Sequence, residues 1–192
     1  MTSDGDALFR AVCEQPAEDT PRLVYADWLE ENGQSERAEF IRLQCEAWNL
    51  CPAYPTLDLA RRREFELARE HGDRWHAELP AVAGLTWSGL FVRGFIDAVQ
   101  AEADNDGTAD RLAAAFGAAP LRRLILDPLD QSRLPRLLEL PHIGRLAVLK
   151  LPRAERNSWR PIVYTDKSLR LLGAAKRRWP HVEFDVPRDS NR

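Results

Sequence analysis

None of the 192 residues falls in an apolar run approaching the roughly 18 positions that a membrane-spanning helix needs. The opening MTSDGDALFR is acidic and has no basic stretch leading into an apolar one, so it lacks the form of an export signal. A soluble cytoplasmic protein with no membrane partner is the expectation. Cysteine is also scarce. Cys13, Cys45 and Cys51 are an odd number confined to the first third, which argues against a disulfide framework and for small buried apolar side chains. The four histidines, His71, His76, His142 and His181, are scattered, and there is no CxxC pair, so neither a metal site nor a cofactor is expected. Missing too are a glycine-rich phosphate loop, a GxSxG elbow and an HExxH helix. No residue is therefore nominated as catalytic, and the chain is expected not to be an enzyme.

An apolar content of 44% is enough to support a folded core. Charge is distributed unevenly. Residues 1–80 carry 17 acidic against 9 basic side chains, and residues 81–192 carry 13 against 18, a net of −8 followed by +5. Two halves of different character predict a domain boundary near residue 80.

The first half reads as helices. Ser3 with Asp6 forms a capping pattern ahead of Ala7, Leu8, Ala11 and Val12, and Pro16 ends that segment. Thr20 as N-cap and Pro21 in the first turn open a second helix that Gly33 closes. Ser35 caps a third, SERAEFIRLQCEAWNL, and a fourth is predicted from about Leu57 to Glu70 with Gly72 at its end. Arg22, Asp27, Glu30, Arg37, Glu39 and Arg42 form an alternating set of charges on the second and third helices. Ion pairs between those helices are the expected use. An acid/base role for Asp27 and Glu39 is disfavoured, because nearby arginines hold both carboxylates ionised.

The blocks TPRLVYADWLEE (20–31) and RAEFIRLQ (37–44), separated by a glycine-containing turn, carry a family resemblance. Residues 6–44 resemble the bacterial repeat-companion domain, a module found ahead of leucine-rich or similar repeats. The resemblance implies a helical domain placed before a repeat array, and it implies no catalytic residues.

The second half repeats. Ile96, Val99 and Ala101 are followed 25 residues later by Leu121, Leu124 and Leu126, and 25 later again by Leu146, Leu149 and Leu151. Positions two apart on a strand share a face, so each triplet marks a short strand with a buried side. The period lies in the range of leucine-rich repeats. A looser fourth unit is placed at Trp179, Val182 and Phe184, offset by 33, with an insertion near 153–165. Helical returns are expected at 108–120, with Thr108 as cap, at 131–141, with Leu134, Leu137 and Leu138 inward, and at 165–180, with Leu169, Leu172 and Ala175 inward. Asp127-Pro128 and Pro152-Arg153 predict irregular turns after the strands. The predicted architecture is an α+β or α/β solenoid. A helical domain (1–80) caps a short leucine-rich-repeat-like array (81–192) built on a small parallel sheet.

Side-by-side strands would present Ala98 and Gln100, Arg123 and Ile125, Val148 and Lys150, and His181 and Glu183 on their outer face. Within the insertion, Trp159, Arg160, Ile162 and Tyr164 are interface-type anchors, or else local core. The expected function is non-catalytic binding of another protein, as a scaffold or adaptor. The alternative is nucleic-acid binding through Lys176, Arg177 and Arg178 beside Trp179.

Overall fold

The computed structural model describes residues 3–49, 57–103, 107–152 and 164–186. Among them are seven helices and a five-stranded sheet in the order β1-β2-β3-β4-β5. The helices are α1 (Asp4–Glu14), α2 (Thr20–Glu31), α3 (Ser35–Asn49), α4 (Leu57–Ala77), α5 (Thr108–Ala118), α6 (Leu134–Leu138) and α7 (Asp166–Arg178). The strands are β1 (Leu85–Val92), β2 (Phe95–Ala103), β3 (Arg123–Leu129), β4 (Val148–Lys150) and β5 (Glu183–Asp185). No helix among the described residues is long and apolar enough to cross a membrane.

The chain divides into two compact units. The first takes Met1–Pro80, Gly89–Asp97 and Ala118–Pro120, and the second takes Ala81–Ser88, Ala98–Gly117 and Leu121–Arg192.

In the first unit, Ser3 caps α1 through the predicted box, its hydroxyl accepting from Asp6 N at 3.1 Å while Ser3 N donates to the Asp6 carboxylate at 3.0 Å. Gly5 is required within that helix, because a Cβ there would collide with the Trp28 ring. The expected Thr20 cap is corrected. Thr20 is already helical, and Asp19 stands at the N-cap without a side-chain cap bond, since its carboxylate is committed to Arg93 and Asn49. Helix α4 is longer than predicted and runs straight through Gly72 to Ala77. Leu67 and Trp75 are spaced as one helical stripe on either side of His71, and both are buried. Their burial outweighs the roughly 1 kcal/mol that a mid-helix glycine costs.

Two core clusters result. One joins Val12, Ala26, Leu29, Ala38, Ile41, Cys45 and Phe95, and the other joins Phe40, Leu67 and Trp75. Phe95 belongs to the first because Arg93 and Gly94 form a two-residue turn between β1 and β2, with φ of 49° and 89°. Positive φ at both central residues is what a type I′ hairpin turn demands. A Cβ at Gly94 would strike the Ile41 side chain and lie 3.0 Å from the Ile41 Cα, so only glycine lets the turn approach α3 this closely.

In the second unit, β2, β3, β4 and β5 pair in parallel, each connection containing a helix. Val99 lies beside Leu124 and Leu124 beside Leu149, which matches the 25-residue spacing. All nine triplet residues are buried. Strand β3 continues through the cis Asp127–Pro128 bond, and its register with β2 shifts between Ala101 and Ala103. Such an irregularity accommodates a proline that cannot donate to the ladder. The fourth unit is corrected by two residues. Leu149 pairs with Phe184, 35 positions on, where the 33-residue offset would have set Val182. A shift of two keeps the same side chains on each face, which is why Val182 is nonetheless buried. The return helices hold Leu134, Leu137, Leu138, Leu172 and Ala175 inside, whereas Leu169 is exposed and Ser168 takes the buried place at the start of α7.

Candidate functional site

The parallel pairing brings four of the nominated residues together. Arg123, Val148 and Glu183 form one row across β3, β4 and β5; Ile125, Lys150 and Asp185 form a second. These are the strand positions that alternate with buried Leu124 and Leu149, and they are half-buried or exposed. Ala98 and Gln100 continue the rows on β2, though Ala98 is buried. The rows carry a charge gradient. Arg123 and Lys150 are cationic on β3 and β4, and β5 ends both rows with a carboxylate.

Two nominations are corrected. His181 precedes β5 and does not stand in a strand row; its Nε2 is 2.7 Å from the Gly144 carbonyl oxygen, and Asp185 occupies the outward strand position instead. Tyr164 is buried, and its hydroxyl donates to the Pro152 carbonyl at 2.9 Å. Burial pushes its phenol up to about 12. It is therefore a core residue and not a free anchor, and Tyr164→Phe should lower stability by about 1 kcal/mol in chemical denaturation, because the buried carbonyl loses its donor. Trp159, Arg160 and Ile162 lie outside the described residues.

Lys176, Arg177 and Arg178 occupy the last turn of α7, where cations offset the helix dipole. The Arg178 guanidinium sits 4.8 Å from the centre of the Trp179 ring, so that ring already has a cationic partner.

The charges on α2 and α3 pair only in part as expected. Arg42 reaches both Asp27 and Glu30 at 2.7 Å. Glu39 turns instead to α4, where Arg63 grips it with two hydrogen bonds of 2.8 Å, and that bonding lowers the pKa of Glu39. Asp27 and Glu39 thus serve different arginines, and no shared acid/base pair exists between them. Arg22, almost fully buried, donates to the carbonyls of Glu18 and Pro16.

Arg37 does something the sequence reading missed. Its place three and four residues before Phe40 and Ile41 puts it in the apolar stripe of α3, which was the signal available. It lines a cavity of about 180 Å³ in the first unit, together with Tyr25, Trp75, Phe91 and Phe95. Only 8% of Arg37 is exposed. The guanidinium lies 4.5 Å from the Trp75 ring centre, 5.3 Å from Phe95 and 5.4 Å from Phe91. Ring faces offset part of the charge but accept few N–H bonds, and Arg37 Nη1 has no hydrogen-bond partner among the described residues. Trp75 Nε1 has none either among the described residues. Burial lowers the Arg37 pKa to about 10, which leaves it a cation at neutral pH. Gln34 and Glu78 line the cavity and are exposed, so they mark where it meets solvent.

No family model, no curated protein and no solved structure matches the chain.

Proposed function

We propose that this protein is a non-catalytic adaptor that binds another protein across the outer rows of β3, β4 and β5. The observation that carries the reading is the parallel register that aligns Arg123 with Val148 and Glu183, and Ile125 with Lys150 and Asp185. Chemistry performed by the chain would need reactive groups gathered in one place, whereas these rows spread apolar and charged side chains over a surface, as docking requires. On this reading the first unit is a repeat-companion-like domain and the parallel strands with their return helices are divergent leucine-rich-repeat-like units in a short solenoid. The 25-residue offset between Leu124 and Leu149 supports that assignment.

The charge gradient defines the partner's chemistry. Its surface carries acidic groups opposite Arg123 and Lys150, and a basic group opposite Glu183 and Asp185. A nucleic acid would meet those two carboxylates on the same rows, which disfavours it there; Lys176, Arg177 and Arg178 remain the alternative surface for one.

Affinity capture with the full chain tests the reading. A protein partner retained by the wild type and by a Lys176, Arg177, Arg178 to alanine variant should be lost from Arg123→Glu/Lys150→Glu, with affinity falling at least about tenfold. Recovery of DNA or RNA that depends on the basic triplet, with no protein dependent on the strand rows, would overturn it.

A further inference from the structure

Helix α7 carries Lys167, Arg170, Lys176, Arg177 and Arg178 against a single acid, Asp166, and all six are exposed. Ser168, Leu172 and Ala175 form its buried side. With about 3.6 residues per turn, Lys167, Arg170, Ala174 and Arg177 fall on the opposite side as one stripe, roughly 15 Å long.

Helix stability does not account for these cations. Basic side chains in the last turn offset the helix dipole, which explains Lys176, Arg177 and Arg178. Lys167 stands in the first turn, where the dipole disfavours a cation, and Arg170 is in mid-helix. Ion pairing does not account for them either. None of Lys167, Arg170, Lys176 and Arg177 has a carboxylate partner among the described residues, and Asp166, one turn before Arg170, forms no ion pair with it. Arg63 on α4, by contrast, bonds both Glu39 and Glu66. Glu139, just after α6, lines a groove along the flank of α7 marked by Leu171 and Arg178, and the stripe lies outside that groove.

Between the two arginines the helix surface drops. Gly173 and Ala174 separate them, and Arg177 Nη1 lies 3.7 Å from where a Cβ on Gly173 would stand. The guanidinium thus folds back over a floor that has no side chain. Asp166, Leu169, Arg170, Gly173 and Arg177 line the resulting notch. Two guanidinium forks beside one notch suit a phosphate group, whose oxygens accept paired N–H bonds. Lys167 extends the requirement to a second anion in line with the first. A phosphodiester backbone supplies such an array at every nucleotide, whereas protein surfaces intersperse both signs. Single strands are held by aromatic side chains on which bases stack. The exposed residues of α7 include no aromatic, and half-buried Trp179 already lies against Arg178. Leu169 is the one large apolar side chain of α7 that is exposed, too little apolar surface to enter a bilayer.

We infer that the outward stripe of α7 is a binding surface for duplex nucleic acid, held by its phosphates without base readout. One phosphate sits between Arg170 and Arg177 over Gly173, and another meets Lys167. The surface uses no residue of the outer strand rows, so a protein on β3, β4 and β5 and a duplex on α7 are independent ligands.

Fluorescence anisotropy of labelled duplexes of two unrelated sequences, as DNA and as RNA, titrated with the full chain, tests the inference. Both sequences should bind equally, and affinity should fall with salt at a log–log slope of about −3, as three phosphate contacts require. Arg170→Gln/Arg177→Gln should weaken binding at least about tenfold at low salt and flatten the slope by about 2, with an unchanged circular dichroism spectrum. Gly173→Glu, which sets a carboxylate in the notch, should weaken binding as much, whereas Gly173→Ala should bind as the wild type does. No anisotropy change at low salt, or unchanged affinity and slope in the folded Arg170→Gln/Arg177→Gln variant, would overturn the inference. So would single strands of the same sequences, poly-glutamate or phosphatidylserine vesicles that bind as tightly as the duplex. Those failures leave the strand-row reading intact, because Arg123→Glu/Lys150→Glu tests it separately and should bind duplex like the wild type.

Discussion

Arg93→Ala should destabilise the helical unit by about 2–3 kcal/mol, measured as a fall in the urea midpoint of far-UV circular dichroism at unchanged slope. The guanidinium donates from Nη1 to the Ala17 carbonyl and to Asp19 Oδ1, and from Nη2 to the Pro16 carbonyl, each at 2.8 Å. The side chain is almost entirely buried; its removal takes from Asp19 its charged partner and from the Ala17 carbonyl its donor, while Asn49 still donates to Asp19 and Arg22 still donates to the Pro16 carbonyl. Truncating one member of a buried charge pair is costly for that reason.

The same variant carries a signature in pH. Burial alone would raise the Asp19 pKa, but hydrogen bonds from Asn49 and Arg93 and the charges of Arg93 and Arg22 bring the net value below its ordinary 3.8. A depressed carboxylate contributes stability above its unfolded pKa and loses it as pH falls through the folded one. The gap between wild type and Arg93→Ala should therefore be widest at neutral pH and narrow below about pH 4. A gap that stays constant into acid would show that the ion pair contributes little and that the two carbonyl bonds dominate.

Leu124→Ala should cost about 2–5 kcal/mol, while Ile125→Ala, one residue along the same strand, should cost about 1 kcal/mol. Leu124 lies at the middle of the parallel pairing, between Val99 and Leu149, and is 1% exposed. Its deletion leaves a void that fixed strands on both sides cannot close. Ile125 points to the opposite face and is half-buried. Guanidinium unfolding of the two variants separates the outcomes, and equal losses would contradict the assignment of faces. The pair also bears on function, because Ile125→Ala alters a proposed docking row without removing the core.

Much of the second unit was legible because strand periodicity and burial leave a direct imprint. A residue two positions away returns to the same face, so repeated Leu-x-x-Leu-x-Leu triplets mark the inward side in the sequence itself. The last strand was mis-registered because the segment between β4 and β5 has no repeat spacing to count against, and a two-residue slip preserves the face pattern. Strand β1 went unread for a different reason. Its exposed Leu90 and half-buried neighbours give a weak alternation, and the turn that defines the hairpin is written in only two residues, Arg93 and Gly94.

Charge placement was harder still. Arg22, Arg37, Arg42 and Arg93 are the same residue type, and sequence treats them alike. Their fates differ by what surrounds each head group: carbonyls at the turn before α2 for Arg22, aromatic faces for Arg37, exposed carboxylates on α2 for Arg42, and a carboxylate with two carbonyls for Arg93. An arginine's reach of several bonds lets it choose among partners that only the folded chain supplies.

By itself, then, the sequence determined the capped start of the first helix at Ser3, the nine buried residues of the triplets, and the alternation that sets Arg123 and Lys150 opposite the core, because short-range geometry dictates all of them; Ser35, expected as a cap, is already the first residue of α3. Tertiary structure alone decided that Arg37 would be enclosed by Trp75, Phe91 and Phe95, and that Arg93 would bind the turn before α2. Those contacts join residues tens of positions apart, and their energies depend on burial and on bond geometry that local sequence does not encode.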